Sequence, residues 1–343
     1  MYTFRRFNKK QIFLWTFRDI VFFTIVSAIP ILIYFFFEFD WMVLPTLPLV
    51  LLGTAVAFNI GFKNNNAYDR NWEARKIWGG IVNSSRTFTI MTNDFIGNLF
   101  AEEKASGEEL KVIKKRLIYR HIAWLTALRY QLRAPKEWEH FNHKDIKRIK
   151  ARQGDHVTEH TIELKDALAP YLEAEELGKI LKKVNPATNL IRNQSADIAQ
   201  LREKKLTDDF RHVEFKNILE ELYTLQGKSE RIKNYPLPRQ YTSISYYFVM
   251  LFILIIPFAM IGAFTGDDIS TWQVLLAIPA SVIVSWVFFT MEKIGDYSEN
   301  PFEGIGNDVP ITSLARTIEI DMRDMIDEEN LPLPITGKNG VVI

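Results

Sequence analysis

The 343-residue chain has no cysteine and almost no net charge, with 42 Lys and Arg residues against 41 Asp and Glu residues. The absence of cysteine excludes disulfide bonds, thiolate metal sites and cysteine nucleophiles. The balanced charge gives no reason to expect a nucleic-acid partner, because nucleic-acid-binding domains carry a basic excess. The mean hydropathy of −0.05 is typical of a soluble protein. The distribution of charge along the chain indicates something different.

Charged residues are missing from four runs of 18 to 27 residues, namely 20–37, 41–62, 240–266 and 269–291. A helix of roughly 20 apolar residues crosses the ~30 Å hydrocarbon core of a bilayer. The four runs therefore predict an all-α integral membrane protein with four transmembrane helices, paired in two tight hairpins. A cleaved signal peptide is the alternative for the first run. Its length, and the second run that follows almost at once, favour retention in the membrane.

Basic residues lie on the same side of all four runs. Five Lys and Arg residues precede the first run, and others follow the second, precede the third and follow the fourth, whereas both short connections carry only acidic charges. The positive-inside rule then predicts an inner-membrane protein with both termini and the central segment in the cytoplasm. The predicted domains are an N-terminal segment (1–19), a first hairpin (20–62), a cytoplasmic helical domain (63–239), a second hairpin (240–291) and a C-terminal segment (292–343).

Apolar residues recur every three or four positions in three parts of the central segment, as on one face of an amphipathic helix. These parts are residues 110–132, 190–201 and 206–225, and the third face includes Phe210 and Val213. Thr207 is the predicted N-cap of the third helix, because Asp208 and Asp209 would then lie in its first turn. A further charged helix is predicted over residues 311–326.

The four runs contain no ionisable residue, and the chain has neither a phosphate-binding loop nor a dinucleotide-binding fingerprint. Proton-coupled carriers usually place a carboxylate or histidine within the membrane, and ATP-driven pumps need a phosphate-binding loop. The sequence therefore favours a passive pore, or a scaffold without transport, over an active transporter.

One short motif allows an enzymatic alternative. His156, Glu159 and His160 match the H-x-x-E-H pattern of inverted zincins, in which two imidazoles one helical turn apart bind zinc. No apolar helical pattern surrounds the motif, and Gly154 interrupts it just upstream. A polar loop is favoured over a metalloenzyme, and we predict no catalytic residue and no metal site.

The cytoplasmic half of the second run, residues 53–62, is rich in small residues and holds Thr54, Phe58 and Phe62 at intervals of four. Residues at this spacing lie along one face of a helix. Four helices per chain enclose no obvious pathway, but a ring of subunits would place one copy of this face around a shared axis. Rings of Phe would then form a hydrophobic constriction that gates by dewetting. The alternative is that these residues face lipid or neighbouring helices.

Several motifs resemble those of the bestrophin family in its bacterial branch. Residues 61–79 (GFKNNNAYDRNWEARKIWG) resemble the family's G-F-R-N and Y-x-R-W-W-E-A-R-x-x-W-G, and residues 82–86 (VNSSR) resemble V-N-x-S-R. Residues 230–238 (ERIKNYPLP) resemble E-R-I-x-x-T-P-x-P. The closing segment of the family is similar to ENPF at 299–302, DVP at 308–310 and RTIEID at 316–321. The likeness covers nearly the whole chain in the same order.

This resemblance implies a homopentameric ion channel without enzymatic activity, whose partners are four further copies of the chain, permeant monovalent ions and the bilayer. In the family, five copies of the second span line a hydrophobic neck, below which a cytoplasmic vestibule ends in an aperture. The corresponding positions of this chain are Thr54, Phe58 and Phe62 for the pore neck, Lys63, Asn64 and Asn65 for its inner mouth, and Ile191 for the aperture.

The sign of the permeant ion depends on charged rings in the pore, and the predicted neck has none. Lys63 would add a ring of positive charges if it faced the axis, although a neighbouring acid could cancel them. Asn64 and Asn65 can both donate and accept hydrogen bonds. The family name favours chloride and other anions. A monovalent-cation-selective channel of the same family and a membrane-anchored scaffold are the alternatives.

Calcium regulation is not expected. The resemblance implies a Ca²⁺ site only where a dense acidic run follows the ENPF segment, as in animal bestrophins. In this chain only Glu303 and Asp308 lie in the six residues after ENPF. Ca²⁺ takes six to eight oxygen ligands, several of them from carboxylates. We therefore predict no Ca²⁺ site and no other cofactor.

Overall fold

The computed structural model describes residues 1–140, 157–265 and 271–343, and within these ranges the regular structure is almost entirely α-helical. The described chain divides into two compact units. The membrane unit comprises Phe4–Arg70 and Pro236–Glu299, and the polar unit comprises Met1–Thr3, Asn71–Tyr235 and Asn300–Ile343. The helices are α1 (Lys9–Phe37), α2 (Thr46–Phe95), α3 (Gly107–Arg133), α4 (Thr158–Thr161), α5 (Leu164–Leu168), α6 (Ala174–Ile180), α7 (Pro186–Glu203), α8 (Asp209–Asn234), α9 (Arg239–Ala263), α10 (Ala277–Asp296) and α11 (Ile311–Asp324).

Among the described residues, four stretches are long and apolar enough to cross a membrane, in agreement with the four predicted spans. They are α1, the stretch Asp40–Phe95 that contains α2, α9, and the stretch Trp272–Asp296 that contains α10. Glu38 ends α1 in a left-handed conformation with φ 51°. A left-handed residue at a helix end allows the chain to turn away within a few residues.

The core of the membrane unit consists of apolar side chains from α1, α2, α9 and α10. Its larger cluster contains Phe23, Val56, Ile60, Val249, Phe252, Ile253 and Ile256. Gly53 permits the close approach of α2 to α9, because a Cβ atom at this position would lie 3.0 Å from the Phe252 ring. Small residues at such contacts are typical of membrane helices, which associate mainly through close packing.

The second span does not end at residue 62, where the charge-free run stops. It continues without interruption to Phe95, so α2 is a single helix of 50 residues. Its first part belongs to the membrane unit and its second part to the polar unit. The helical buried face persists through Ala67, Ala74, Trp78 and Ile81. The hydropathy pattern shows where charged residues begin, but it does not show whether the helix continues beyond them.

The polar unit has one large apolar core, formed by the second part of α2 with α3, α7, α8 and α11. The predicted helix over residues 110–132 is confirmed as α3, which begins with a capping box between Ser106 and Glu109. Its predicted apolar face is buried at Leu117, Trp124 and Leu128. The predicted helix at 311–326 is likewise confirmed as α11.

The start of α8 differs from the prediction. Asp208 caps the helix, since its Oδ1 accepts the backbone N–H groups of Phe210 and Arg211 at 2.9 and 3.1 Å. Thr207 was therefore the wrong N-cap. The predicted apolar face is also wrong at its first turn, because Phe210 is 85% exposed and Val213 is exposed as well. The buried face of α8 begins at Phe215.

Candidate functional site

Helix α2 has two opposite faces within the membrane unit. One face is buried and contains Gly53, Val56, Ile60, Lys63 and Ala67. Since successive residues of a helix are rotated by about 100°, a second set of side chains points the other way. We call this second face the exposed stripe, and its members are Leu47, Leu51, Thr54, Phe58, Phe62, Asn65 and Asp69.

The three predicted neck residues all lie on the exposed stripe. Phe58 and Phe62 are 68% and 54% exposed, and their rings meet edge to face with centroids 4.7 Å apart. The Thr54 hydroxyl donates to the carbonyl oxygen of Val50 at 2.8 Å, so its hydrogen is used within the helix. The stripe therefore presents apolar surface and no free charge between Leu47 and Phe62. That this surface lines a pore stays a prediction.

The predicted inner mouth is divided between the two faces. Asn65 is exposed and continues the stripe beyond Phe62. The Asn64 amide donates to the carbonyl oxygen of Met291 at 3.1 Å, which holds it against α10. Lys63 is buried on the face opposite Phe58, and its ammonium contacts the Glu292 carboxylate. Lys63 therefore does not share the face of Phe58 and Phe62, and its charge is paired with that of Glu292.

The predicted aperture residue does not have a free side chain. Ile191 is half-buried and packs against the apolar core of the polar unit. Phe210, in the first turn of α8, is an exposed apolar side chain at the start of a helix. Periodicity predicted a buried Phe210 because it lies in phase with the apolar residues that follow. Asp208 was the available sequence signal for where this helix begins, because a cap at Asp208 starts the first turn one residue later than predicted.

Residues of the family-like motifs join distant parts of the polar unit. Arg86 of VNSSR binds Asp321 of RTIEID through Nε and Nη2, at 2.8 and 2.6 Å from Oδ2. Arg231 of ERI binds Glu73 of the first motif at 2.6 Å. Glu230 Oε1 accepts three amide groups, from Gln131, Asn185 and Gln226. These motif residues therefore join segments of the polar unit that are far apart in the chain.

The acidic residue of the H-x-x-E-H motif, Glu159, makes structural contacts. Glu159 is buried, lies 2.9 Å from Arg129 Nη1 and accepts a hydrogen bond from the Thr312 hydroxyl at 2.9 Å. This pairing ties α4 to α3 and α11. His156 lies outside the described residues.

The two acids after ENPF also make internal contacts. Glu303 accepts hydrogen bonds from the His140 backbone at 3.0 Å and the Asn300 amide at 2.8 Å. Asp308 accepts the N–H groups of Gly304 and Ile305, and burial raises the pKa of Asp308 to about 7 despite the nearby Arg133 charge. In the part of the chain that is described, no three His, Asp or Glu side chains are placed to hold a metal. The absence of Ca²⁺ regulation stays a prediction.

The chain is similar over most of its length to known bacterial proteins. The voltage-dependent anion channel-forming protein YneE of Escherichia coli K12 is 27% identical over 290 residues, which are 84% of this chain and 79% of that protein. The voltage-dependent anion channel-forming protein mll4386 of Mesorhizobium japonicum is 26% identical over 306 residues, or 89% and 83% of the two chains. The crystal structure of a bacterial bestrophin homolog from Klebsiella pneumoniae superposes with a TM-score of 0.74 at 25% identity, covering 92% of this chain and 99% of that one.

The family described as Bacterial/Fungal Bestrophin protein matches residues 3–324. This match takes in all four candidate spans and the motifs on both sides of them. It confirms the resemblance that the motifs indicated, and the chain belongs to the bacterial and fungal bestrophin family.

Proposed function

We propose that this chain forms a homopentameric channel that conducts chloride and other small monovalent anions across the bacterial inner membrane, with both termini in the cytoplasm. The relatives named voltage-dependent anion channel-forming proteins support anion conduction. The observation that carries the proposal is the exposed stripe of α2. From Leu47 to Phe62 the stripe is uncharged and mostly apolar, and it lies on the helix face that the rest of the membrane unit leaves uncovered.

Five copies of the stripe around one axis would form successive rings. Phe58 and Phe62 would each contribute five aromatic side chains, and Thr54 a smaller ring outside them. Such rings give no polar partner to a hydrated ion, so entry requires dehydration and the neck can close by dewetting. The exposed Asn65 follows directly, and its amide offers both donors and acceptors where an ion leaves the apolar rings.

We place the aperture at Phe210 in preference to Ile191. The resemblance asks for an apolar side chain at the start of a vestibule helix. Phe210 lies in the first turn of α8 and is 85% exposed, whereas Ile191 is engaged by the core. Phe210→Ala should therefore raise the current through the open channel, and Ile191→Ala should mainly weaken packing. An increase in current for Ile191→Ala alone would reverse this assignment.

Two measurements on the purified protein test the channel itself. The mass of the detergent-solubilised complex should be about five times the 40.0 kDa chain mass. Liposomes containing the protein should release chloride without another component, which a scaffold would not do. The reversal potential in asymmetric salt should approach the equilibrium potential of the anion. For a cation-selective channel it would approach the equilibrium potential of the cation.

The role of the stripe is tested by Phe58→Ala. If Phe58 faces the axis, the change widens the neck, admits water and raises single-channel conductance markedly. Ile283→Ala is the matched control, because Ile283 is a similarly exposed apolar residue on α10 and should leave conductance unchanged. A Phe58→Ala complex with normal conductance and lowered thermal stability would place Phe58 against lipid or another helix.

A further inference from the structure

A buried ion pair lies directly behind the exposed stripe. Lys63 follows Phe62 in the chain but points to the opposite side of α2, where its ammonium contacts Glu292 near the end of α10. The side chains of Lys63 and Glu292 are only 2% and 3% exposed. Asp296, one turn further along α10, lies 3.6 Å from the same ammonium and is 40% exposed.

Neighbouring groups hold this pair in one arrangement. Ser245 of α9 donates its hydroxyl hydrogen to the second oxygen of Glu292 at 2.7 Å. The Asn64 amide lies so close to Gly295 that a Cβ atom there would be 2.0 Å from Asn64 Oδ1. Glu292 is therefore fixed by α2 and α9 together, and the glycine allows α10 to approach closely enough for the contact.

We propose that Glu292 is a specificity-determining residue, which cancels the Lys63 charge beside the inner end of the neck and thereby limits the preference of the channel for anions. This inference rests on the proposed function, because it needs α2 to line an ion pathway. The neck residues Thr54, Phe58 and Phe62 carry no charge, so the balance of the charges next to them influences which ion enters the apolar rings more easily.

Electrostatics sets the sign of the effect. Two opposite charges in contact act on a distant ion only as a dipole, whereas an unpaired charge acts at long range, and more strongly where water is scarce. Five unpaired Lys63 side chains would attract anions towards the inner neck. Five unpaired Glu292 side chains would attract cations. Asp296 adds a further acid at this level, although its exposure to water screens it.

The test compares reversal potentials of purified channels in asymmetric NaCl across planar bilayers. Glu292→Gln should raise the chloride-to-sodium permeability ratio by about threefold or more, and Lys63→Met should lower it by a similar factor. The double variant Lys63→Met with Glu292→Gln should return to the wild-type ratio. Recording at about pH 6 and about pH 8.5 ensures that an unpaired lysine or glutamate is charged in at least one condition.

A matched control breaks a different, partly buried pair on the same helix. Lys293 binds Asp19 of α1 at 2.8 Å, so Lys293→Met unpairs one acid that is not attached to α2. It should leave the permeability ratio unchanged. A shift as large as that of Lys63→Met would mean that any charge at this end of the helices suffices, and it would overturn the assignment to Glu292.

Two further variants keep the proposal falsifiable if a single unpaired charge prevents assembly. The swap Lys63→Glu with Glu292→Lys retains the pair and should keep the wild-type ratio. Asp296→Asn removes a partly exposed acid and should shift the ratio towards anions, by less than Glu292→Gln. This inference alone would be overturned if Asp296→Asn and every single variant that assembles carried wild-type currents with an unshifted chloride-to-sodium permeability ratio. Wild-type protein that passes no ions would instead overturn the proposed function.

Discussion

The membrane unit and the polar unit use charge differently. In the membrane unit, the charged side chains lie near the ends of the spans, where Lys63 meets Glu292 and Lys293 meets Asp19. In the polar unit, a largely buried arginine also links two other helices, since Arg120 bridges the partly buried Glu176 and Asp197 at 2.8 and 2.7 Å. Lipid offers no hydrophobic gain when apolar helices associate, so the membrane unit depends on close packing. The polar unit gains from removing apolar surface from water and can offset the cost of its ions.

The largest effect should come from breaking the interior network of the polar unit. Arg120→Met leaves Glu176 and Asp197 with less compensation for their burial, so the free energy of unfolding should fall by roughly 3–5 kcal/mol. Chemical unfolding followed by tryptophan fluorescence measures this, because Trp78 and Trp124 lie in the same core. The control is Lys179→Ala, which removes the exposed pair with Glu175 and should have no measurable effect. Equal losses in both variants would contradict the distinction between interior and surface ions.

The next effect is a pH dependence that belongs to the polar unit. His121 is buried against Phe88 and Trp124 and pairs with the Ser85 hydroxyl, and burial lowers the pKa of His121 to about 3. In the unfolded chain the His121 ring is protonated below about pH 6.5, whereas in the folded chain it stays neutral until about pH 3. The free energy of unfolding therefore falls as the pH drops from about 6.5 towards 3. Between about pH 6.5 and 4.5 the loss is roughly 2–3 kcal/mol.

His121→Gln keeps a hydrogen-bonding group towards Ser85 without a titrating ring. Thermal unfolding of the variant and the wild type over this pH range should show a gap that narrows as the pH falls, because only the wild type loses the histidine contribution. Parallel curves would show that His121 is not the group responsible.

A smaller effect tests how the membrane unit packs. Gly295→Ala inserts a methyl group where Asn64 Oδ1 would lie 2.0 Å away, so the Asn64 amide or α10 has to move. Overpacking of this kind costs about 1–3 kcal/mol. The melting temperature of the solubilised protein should fall, and the Asn64→Ala background should remove most of the penalty. An unchanged melting temperature would mean that α2 and α10 adjust freely at this contact.

The smallest effect has the opposite sign. Gly227 lies inside α8, and a Cβ atom at this position would meet none of the described residues within 4 Å beyond the backbone of the helix itself. Gly227→Ala should therefore stabilise the chain by about 0.5–1 kcal/mol, since alanine is the better helix former and restricts the unfolded chain. Thermal unfolding of the variant beside the wild type measures the gain. A destabilised variant would indicate that a neighbouring copy of the chain occupies this space in the assembly.

Much of the membrane unit could be predicted because its signal is local. A helix that crosses lipid must exclude charge over its whole length, so each span is recorded directly as a charge-free run. The helices of the polar unit were also recognisable from their period, as α3 and α11 show. The first turn of α8 was not, because Phe210 and Val213 share the phase of the buried residues. Periodicity identifies an apolar face, but it does not say how far along the helix a partner extends.

The sequence by itself determined that the chain is helical with four stretches able to cross a membrane, that it resembles the bestrophins, and that Thr54, Phe58 and Phe62 share one face of the second of these stretches. Only the tertiary structure decided that Lys63 turns away from that face to meet Glu292, 229 positions later in the chain. It also decided that Ile191 is engaged by a core and that Phe210 is free. The physical reason is that exclusion from lipid acts on each segment separately, whereas ion pairing and packing depend on which distant segments come together.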